Sequence, residues 1–157
     1  MTESPITTAL AESVHEVLEK MFFVDLMDPG AAEERTGDIA AEVIFDGDPP
    51  GTFRLDLERA AAKSAAADFL GEDPEELTTE QLNEVVCELA NMVCGSVLSR
   101  IESSATFRLA KPRITPGECP PQALATASFQ ALVGGGMLRA EIRMERTVCP
   151  GIDESAC

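Results

Sequence analysis

Near the start of the chain, apolar side chains return every three or four positions: Leu10, Val14, Val17, Leu18 and Met21. That spacing lines one face of a helix, with Glu12, Glu16, Glu19 and Lys20 on the other, and predicts an amphipathic helix over residues 4–23. Ser4 suits the cap and Pro5 the first turn, where a missing N–H is no loss. Residues 28–37 mix charge with turn formers and read as a loop. The period then shortens to two. Residues 38–45 and 52–57 read as strands, and Asp46-Gly-Asp-Pro-Pro-Gly51 between them favours a hairpin-like reversal. In the second run Phe53, Leu55 and Leu57 alternate with Arg54, Asp56 and Glu58, which predicts one buried face and one wet face.

Residues 60–70 are alanine-rich and helix-prone, and Gly71 is well placed as their C-terminal cap. The acidic connector Glu72-Asp-Pro-Glu-Glu76 leads to a long helix predicted from residue 78 or 79 to residue 101. Thr79 is its expected cap, with Glu80 favouring the positive end of the dipole. Three further strands are predicted over residues 105–110, 123–132 and 137–147. Val133-Gly-Gly-Gly136 makes the tight turn between the last two, and residues 112–121 form an irregular connection. The order helix, two strands, helix, helix, three strands implies the α+β class, a largely antiparallel β-sheet covered by helices. One domain is expected over residues 1–147, followed by a C-terminal tail, 148–157, without periodicity.

Composition narrows what such a domain can bind. With 45% hydrophobic residues the chain can bury a core, so its charge decorates a folded body. Twelve Lys+Arg against 28 Asp+Glu give a net charge of −16 and a pI near 4.3, which argues against nucleic acid and anionic membrane surfaces as partners. Seven Phe with no Trp or Tyr remove the usual stacking platforms for bases and sugars. The N-terminus has no basic and apolar signal pattern, and no stretch approaches the roughly 18 apolar residues of a membrane span, so a cytoplasmic location is expected. The cysteines, Cys87, Cys94, Cys119, Cys149 and Cys157, include no Cys-x-x-Cys pair and none beside the single histidine, His15. No metal site is expected from them, and Cys87 and Cys94 read as small buried hydrophobes.

The long helix carries the unusual pattern. At about 100° per residue, Leu82, Val86, Leu89, Ala90, Val93 and Val97 fall on one side. Opposite them, Glu84, Glu88, Asn91 and Gly95 form a stripe away from the core. A solvated acidic face is the plain reading of such a stripe. Two features oppose it: Glu84 and Glu88 are like charges at i and i+4, and a glycine in an exposed helix interior costs up to about 1 kcal/mol relative to alanine. A glycine there makes sense where another surface must approach closely. No Ser/His/Asp set, nucleophile elbow, phosphate loop or metal cluster is visible, and His15 has no identifiable catalytic partner.

Glu88-Leu-Ala-Asn91-Met-Val-Cys-Gly95 resembles the Glu-x-x-Asn helix of the CheC/CheX/FliY phosphatases of bacterial chemotaxis, most closely that of CheX-like domains. The resemblance takes in the opening helix with Met21-Phe22-Phe23, the strand order and Leu109-Ala-Lys-Pro112, and covers most of residues 5–147. CheC-type proteins carry two such helices and CheX-type proteins one. Here Glu12, Glu16 and Glu19 are never followed three residues on by Asn, so the single-motif branch is the better match. In one departure, Glu84 stands where the family commonly has Asp or Ser. Pro112 and Pro116 bracket the place of the family's downstream proline.

The resemblance implies a phosphatase acting on the phosphorylated aspartate of a CheY-like receiver domain. In that role Asn91 would hold the attacking water in line, since a neutral carboxamide both donates and accepts without adding repulsion. Glu88 would pair with the receiver's lysine, and Glu84 and Gly95 would contact the partner. The resemblance further implies no cofactor of the chain's own, Mg²⁺ held by the receiver, and a homodimer. The alternative is a non-catalytic interaction module on the same fold, binding a receiver or flagellar-switch-type partner, which Glu84 favours.

Overall fold

The structure, a computed structural model, describes residues 5–22, 26–27, 37–47, 50–101, 107–115 and 127–144. The expected cap at Ser4, the loop over residues 28–36, residues 116–121 of the irregular connection, the strand ends at 105–106, 123–126 and 145–147, and the tail at 148–157 lie outside these.

Helix α1 (Pro5–Glu16) buries Ala9, Leu10, Ser13 and Val14, then widens into a π-helical turn over Val17–Met21. The Phe22 N–H donates to the Val17 carbonyl at 3.2 Å, the i to i−5 pattern of such a turn. The wider turn delays the helical phase by one residue. Phe22 therefore enters the core in place of the expected Met21, which is left 49% exposed. Phe22 stacks on Phe69 with ring centroids 4.3 Å apart.

Seven strands form one sheet among the described residues: β1 (Leu26–Met27), β2 (Ile39–Asp46), β3 (Gly51–Leu57), β4 (Arg108–Leu109), β5 (Arg113–Thr115), β6 (Ala127–Val133) and β7 (Gly136–Met144). Their order is β1-β6-β7-β3-β2-β4, with β5 also on β2, and every pairing is antiparallel. The α+β reading and both hairpins stand. Two strands are additions: β1, and β5 in the stretch read as irregular. Each is two or three residues long and is defined by its neighbour across the sheet, so no period announces it.

The polar alternation in β3 does not produce the expected wet face. Arg54 and Asp56 are buried, as are Arg139 and Glu141 on the adjacent β7. Both strands are central, so these charges are matched to each other. Arg54 donates two bonds to Asp56 at 3.2 Å, Arg139 donates to the same carboxylate at 3.1 Å, and Arg139 lies 3.8 Å from Glu141. Burial of charge is tolerable only with such pairing.

Helix α2 (Arg59–Leu70) buries five alanines and ends, as expected, at Gly71, which is left-handed at φ 69° and donates to the Ala67 carbonyl. The turn between β6 and β7 packs against this helix: a Cβ on Gly136 would lie 2.5 Å from the Ala61 backbone nitrogen. Helix α3 (Thr79–Ile101) crosses the same face of the sheet and contacts α1, α2 and β2. Phe53, Leu55, Leu138, Ala140 and Ile142 meet the three helices in one core.

Candidate functional site

Helix α3 begins with a reciprocal capping box one residue earlier than expected. The Gln81 N–H donates to the Thr78 hydroxyl at 3.0 Å, and the Thr78 N–H donates to the Gln81 side-chain oxygen at 2.9 Å. Thr78, and not Thr79, is the cap, because only it has a Gln three residues on to close the box. From this start Leu82, Val85, Val86, Leu89, Ala90, Val93, Cys94, Val97 and Leu98 turn into the core. Cys94 is buried as expected, and Val85 and Leu98 widen the apolar face beyond the positions expected. Burial pushes the Cys94 thiol up to about 12 and raises that of half-buried Cys87. Cys119, Cys149 and Cys157 lie outside the described residues.

The anchored core face aims the opposite stripe outward. Glu84 and Glu88 are exposed, and Asn91 and Gly95 are half-buried one and two turns further along. A Cβ built on Gly95 would meet nothing within 4 Å. Nothing in the chain's own packing among the described residues therefore requires this glycine, and the space above it is open.

Beside Glu84 and Glu88 the helix borders a groove of about 480 Å³, lined also by Asn83, Cys87, Lys111 and Pro112. Lys111 and Pro112 come from the connection between β4 and β5, so a second element forms its far wall. Pro112, one of the two candidate prolines, is placed here; Pro116 lies outside the described residues. Lys111 stands in the Leu109-Ala-Lys-Pro112 stretch of the resemblance, but the sequence assigned it no role: 23 residues separate it from Glu88, and only the pairing of β4 and β5 with β2 brings it across.

His15 lies apart from this stripe. Its ring packs edge-on against Phe129 at 5.7 Å, and its Nδ1 is 3.7 Å from Glu19. Nearby, Arg100 in the last turn of α3 donates to Glu12 at 3.2 Å and to Glu16, fastening α1 to α3. That guanidinium holds the Glu16 carboxyl below its ordinary range, first by the hydrogen bond and then by its charge.

Among the described residues no group of three His, Cys, Asp or Glu side chains converges as a metal site, and no helix is long and apolar enough to cross a membrane. The family model described as chemotaxis phosphatase CheX matches residues 39–128, more than half of the chain, including the whole of α3. The chain belongs to the CheX family. Solved structures share its fold at low identity. The chemotaxis protein CheX from Vibrio vulnificus matches with a TM-score of 0.71 at 22% identity, covering 92% of this chain and 100% of that one. CheX from Desulfovibrio desulfuricans matches at 0.71 and 18%, covering 90% and 100%. A CheX–CheY–BeF3–Mg²⁺ complex from Borrelia burgdorferi matches at 0.69 and 16%, covering 88% and 97%. No curated protein matches the chain.

Proposed function

We propose that this CheX-family chain hydrolyses the aspartyl phosphate of a CheY-like receiver domain, with Asn91 positioning the water and Glu88 pairing with the receiver's lysine. The observation that carries the reading is the stripe on α3. An exposed carboxylate and, three residues on, a half-buried carboxamide lie on the outer side of a helix anchored by its buried side, beside a glycine over open space. The CheX–CheY complex among the similar structures supports a receiver as partner.

An acyl phosphate is already activated, and what an added protein can contribute to phosphoryl transfer is alignment and charge placement. Water adds to phosphorus, the bond between phosphorus and the aspartyl oxygen breaks, and phosphate leaves with the receiver's carboxylate restored. The Asn91 amide oxygen accepts from the water and its NH₂ donates, with no added negative charge. Glu88 acts as an anchor: a charge-assisted bond to the partner's lysine fixes the helix along its axis. Mg²⁺, held by the receiver, would neutralise charge on the phosphoryl oxygens. Glu84 lies one turn before Glu88, on the partner-facing side. A second copy of the chain is part of this reading, through the edges of the antiparallel sheet.

The test is loss of phosphate from a phosphorylated receiver with and without the protein. The parent should accelerate it, and Asn91→Ala should lose about 10²-fold or more in kcat while still binding, as removal of one positioning group commonly does. Undiminished acceleration by Asn91→Ala would rule out the water-positioning role. Glu84, longer than the family's usual Asp or Ser, favours the second reading, a non-catalytic receiver-binding module. Tight binding with no faster phosphate loss would select it.

A further inference from the structure

The two short strands flanking Lys111 are one edge strand with a residue too many. Leu109 pairs with Phe45 and Arg113 with Glu42. Three residues, Ala110, Lys111 and Pro112, therefore stand opposite two, Val43 and Ile44. This is a one-residue β-bulge, a feature that breaks side-chain alternation and re-aims what it carries. It is held on both sides. The Ala110 N–H donates to the Ile44 carbonyl at 2.8 Å, and the strand resumes at Arg113. Pro112 locks its own φ and confines Lys111 to extended backbone. The bulge thus presents Lys111 from a stiff base at the wall of the groove that Glu84 and Glu88 border.

The charge of this residue stands out in a chain of net −16. Two other cations near α3 are committed: Arg100 to Glu12 and Glu16, and Arg113 to Glu42 at 3.1 Å. Among the described residues Lys111 is exposed, has no ion pair and is the one cation lining the groove. A groove with two carboxylates on one wall and one ammonium on the other is complementary to a surface that offers a cation and an anion side by side.

We propose that Lys111 is a positioning residue, taking a carboxylate on the receiver's surface while Glu88 takes its lysine, so that two opposite charge pairs set how the receiver sits on α3. This rests on the proposed function. One charge pair fixes a point, whereas two of opposite sign fix a direction and penalise the reversed pose, which is how charge gives register and specificity at an interface. Lys111 acts on Asn91 only through that orientation.

The test uses the full chain and a CheY-type receiver from its source organism, phosphorylated with acetyl phosphate for turnover and loaded with beryllofluoride and Mg²⁺ for binding. Lys111→Glu should raise KM and Kd about tenfold at low salt, with kcat within about twofold, and the gap should narrow as salt screens the pair. Lys111→Arg should restore both constants. Unchanged KM and Kd in Lys111→Glu would overturn the proposal. So would a loss confined to kcat, which would put the ammonium on the phosphoryl group, and so would a change in oligomeric state without receiver, which would put a second copy in the groove. If Asn91→Ala loses kcat while Lys111→Glu matches the parent, only the role of Lys111 falls. If the parent neither binds nor dephosphorylates the receiver, the functional reading and this one fall together.

Discussion

Gly95 sits in the interior of a 23-residue helix, where glycine lowers stability, and no described side chain occupies the space a methyl would take. These facts separate stability from function at one atom. Gly95→Ala should raise the unfolding free energy by roughly 0.5–1 kcal/mol in denaturant titration, because the methyl removes backbone freedom from the unfolded chain without meeting a neighbour. The same methyl should weaken receiver binding, since it occupies the space over which the partner is proposed to lie. A variant that is more stable and binds equally well would remove Gly95 from the interface. Glu88 and Asn91 were legible in the sequence because their spacing and their place opposite the core face follow from helical periodicity alone. Lys111 was not, because its relation to Glu88 crosses the sheet.

At the scale of elements, α3 is placed by its buried side and tied at its C-terminal end to α1. Arg100 makes that tie with Glu12 and Glu16. A carboxyl whose pKa is lowered by folding contributes stability above its unfolded value and loses it as pH falls through the folded value. The tie through Glu16 should therefore be intact at neutral pH and loosen only in acid, below the ordinary value of 4.5. In an NMR titration the Glu16 carboxyl midpoint should lie below 4.5 in the parent and rise in Arg100→Ala, where Lys20 remains beside it. An unchanged midpoint would show that the tie does not persist in solution. The start of α3 was legible to within one residue from its Thr-rich boundary, whereas the capping box that selects Thr78 depends on which hydroxyl closes with Gln81. The shift from Met21 to Phe22 at the end of α1 was not legible: a π turn changes the period that the reading assumed.

For the molecule as a whole, the sheet is built around paired charges as well as apolar packing. Removing Asp56 would take a shared carboxylate from Arg54 and Arg139, both buried. Asp56→Ala should cost roughly 3–5 kcal/mol of unfolding free energy, enough to exhaust much of the stability of a small domain. A loss under about 1 kcal/mol in denaturant titration would show that the ladder is not buried in solution. Net charge also acts at this scale. A chain at −16 has no general attraction for another acidic protein, so the proposed docking of a receiver would depend on local charge such as Lys111 and Glu88. By itself the sequence determined the three main helices, the two hairpins, the antiparallel α+β class and the stripe bearing Glu88 and Asn91, because each is written in the period or turn chemistry of contiguous residues. Only the tertiary structure decided the short strands β1 and β5, the burial of Arg54 and Asp56, and the bulge that brings Lys111 to Glu84 and Glu88. Those depend on cross-strand register and on which strands become central, and both are set by partners distant in the chain.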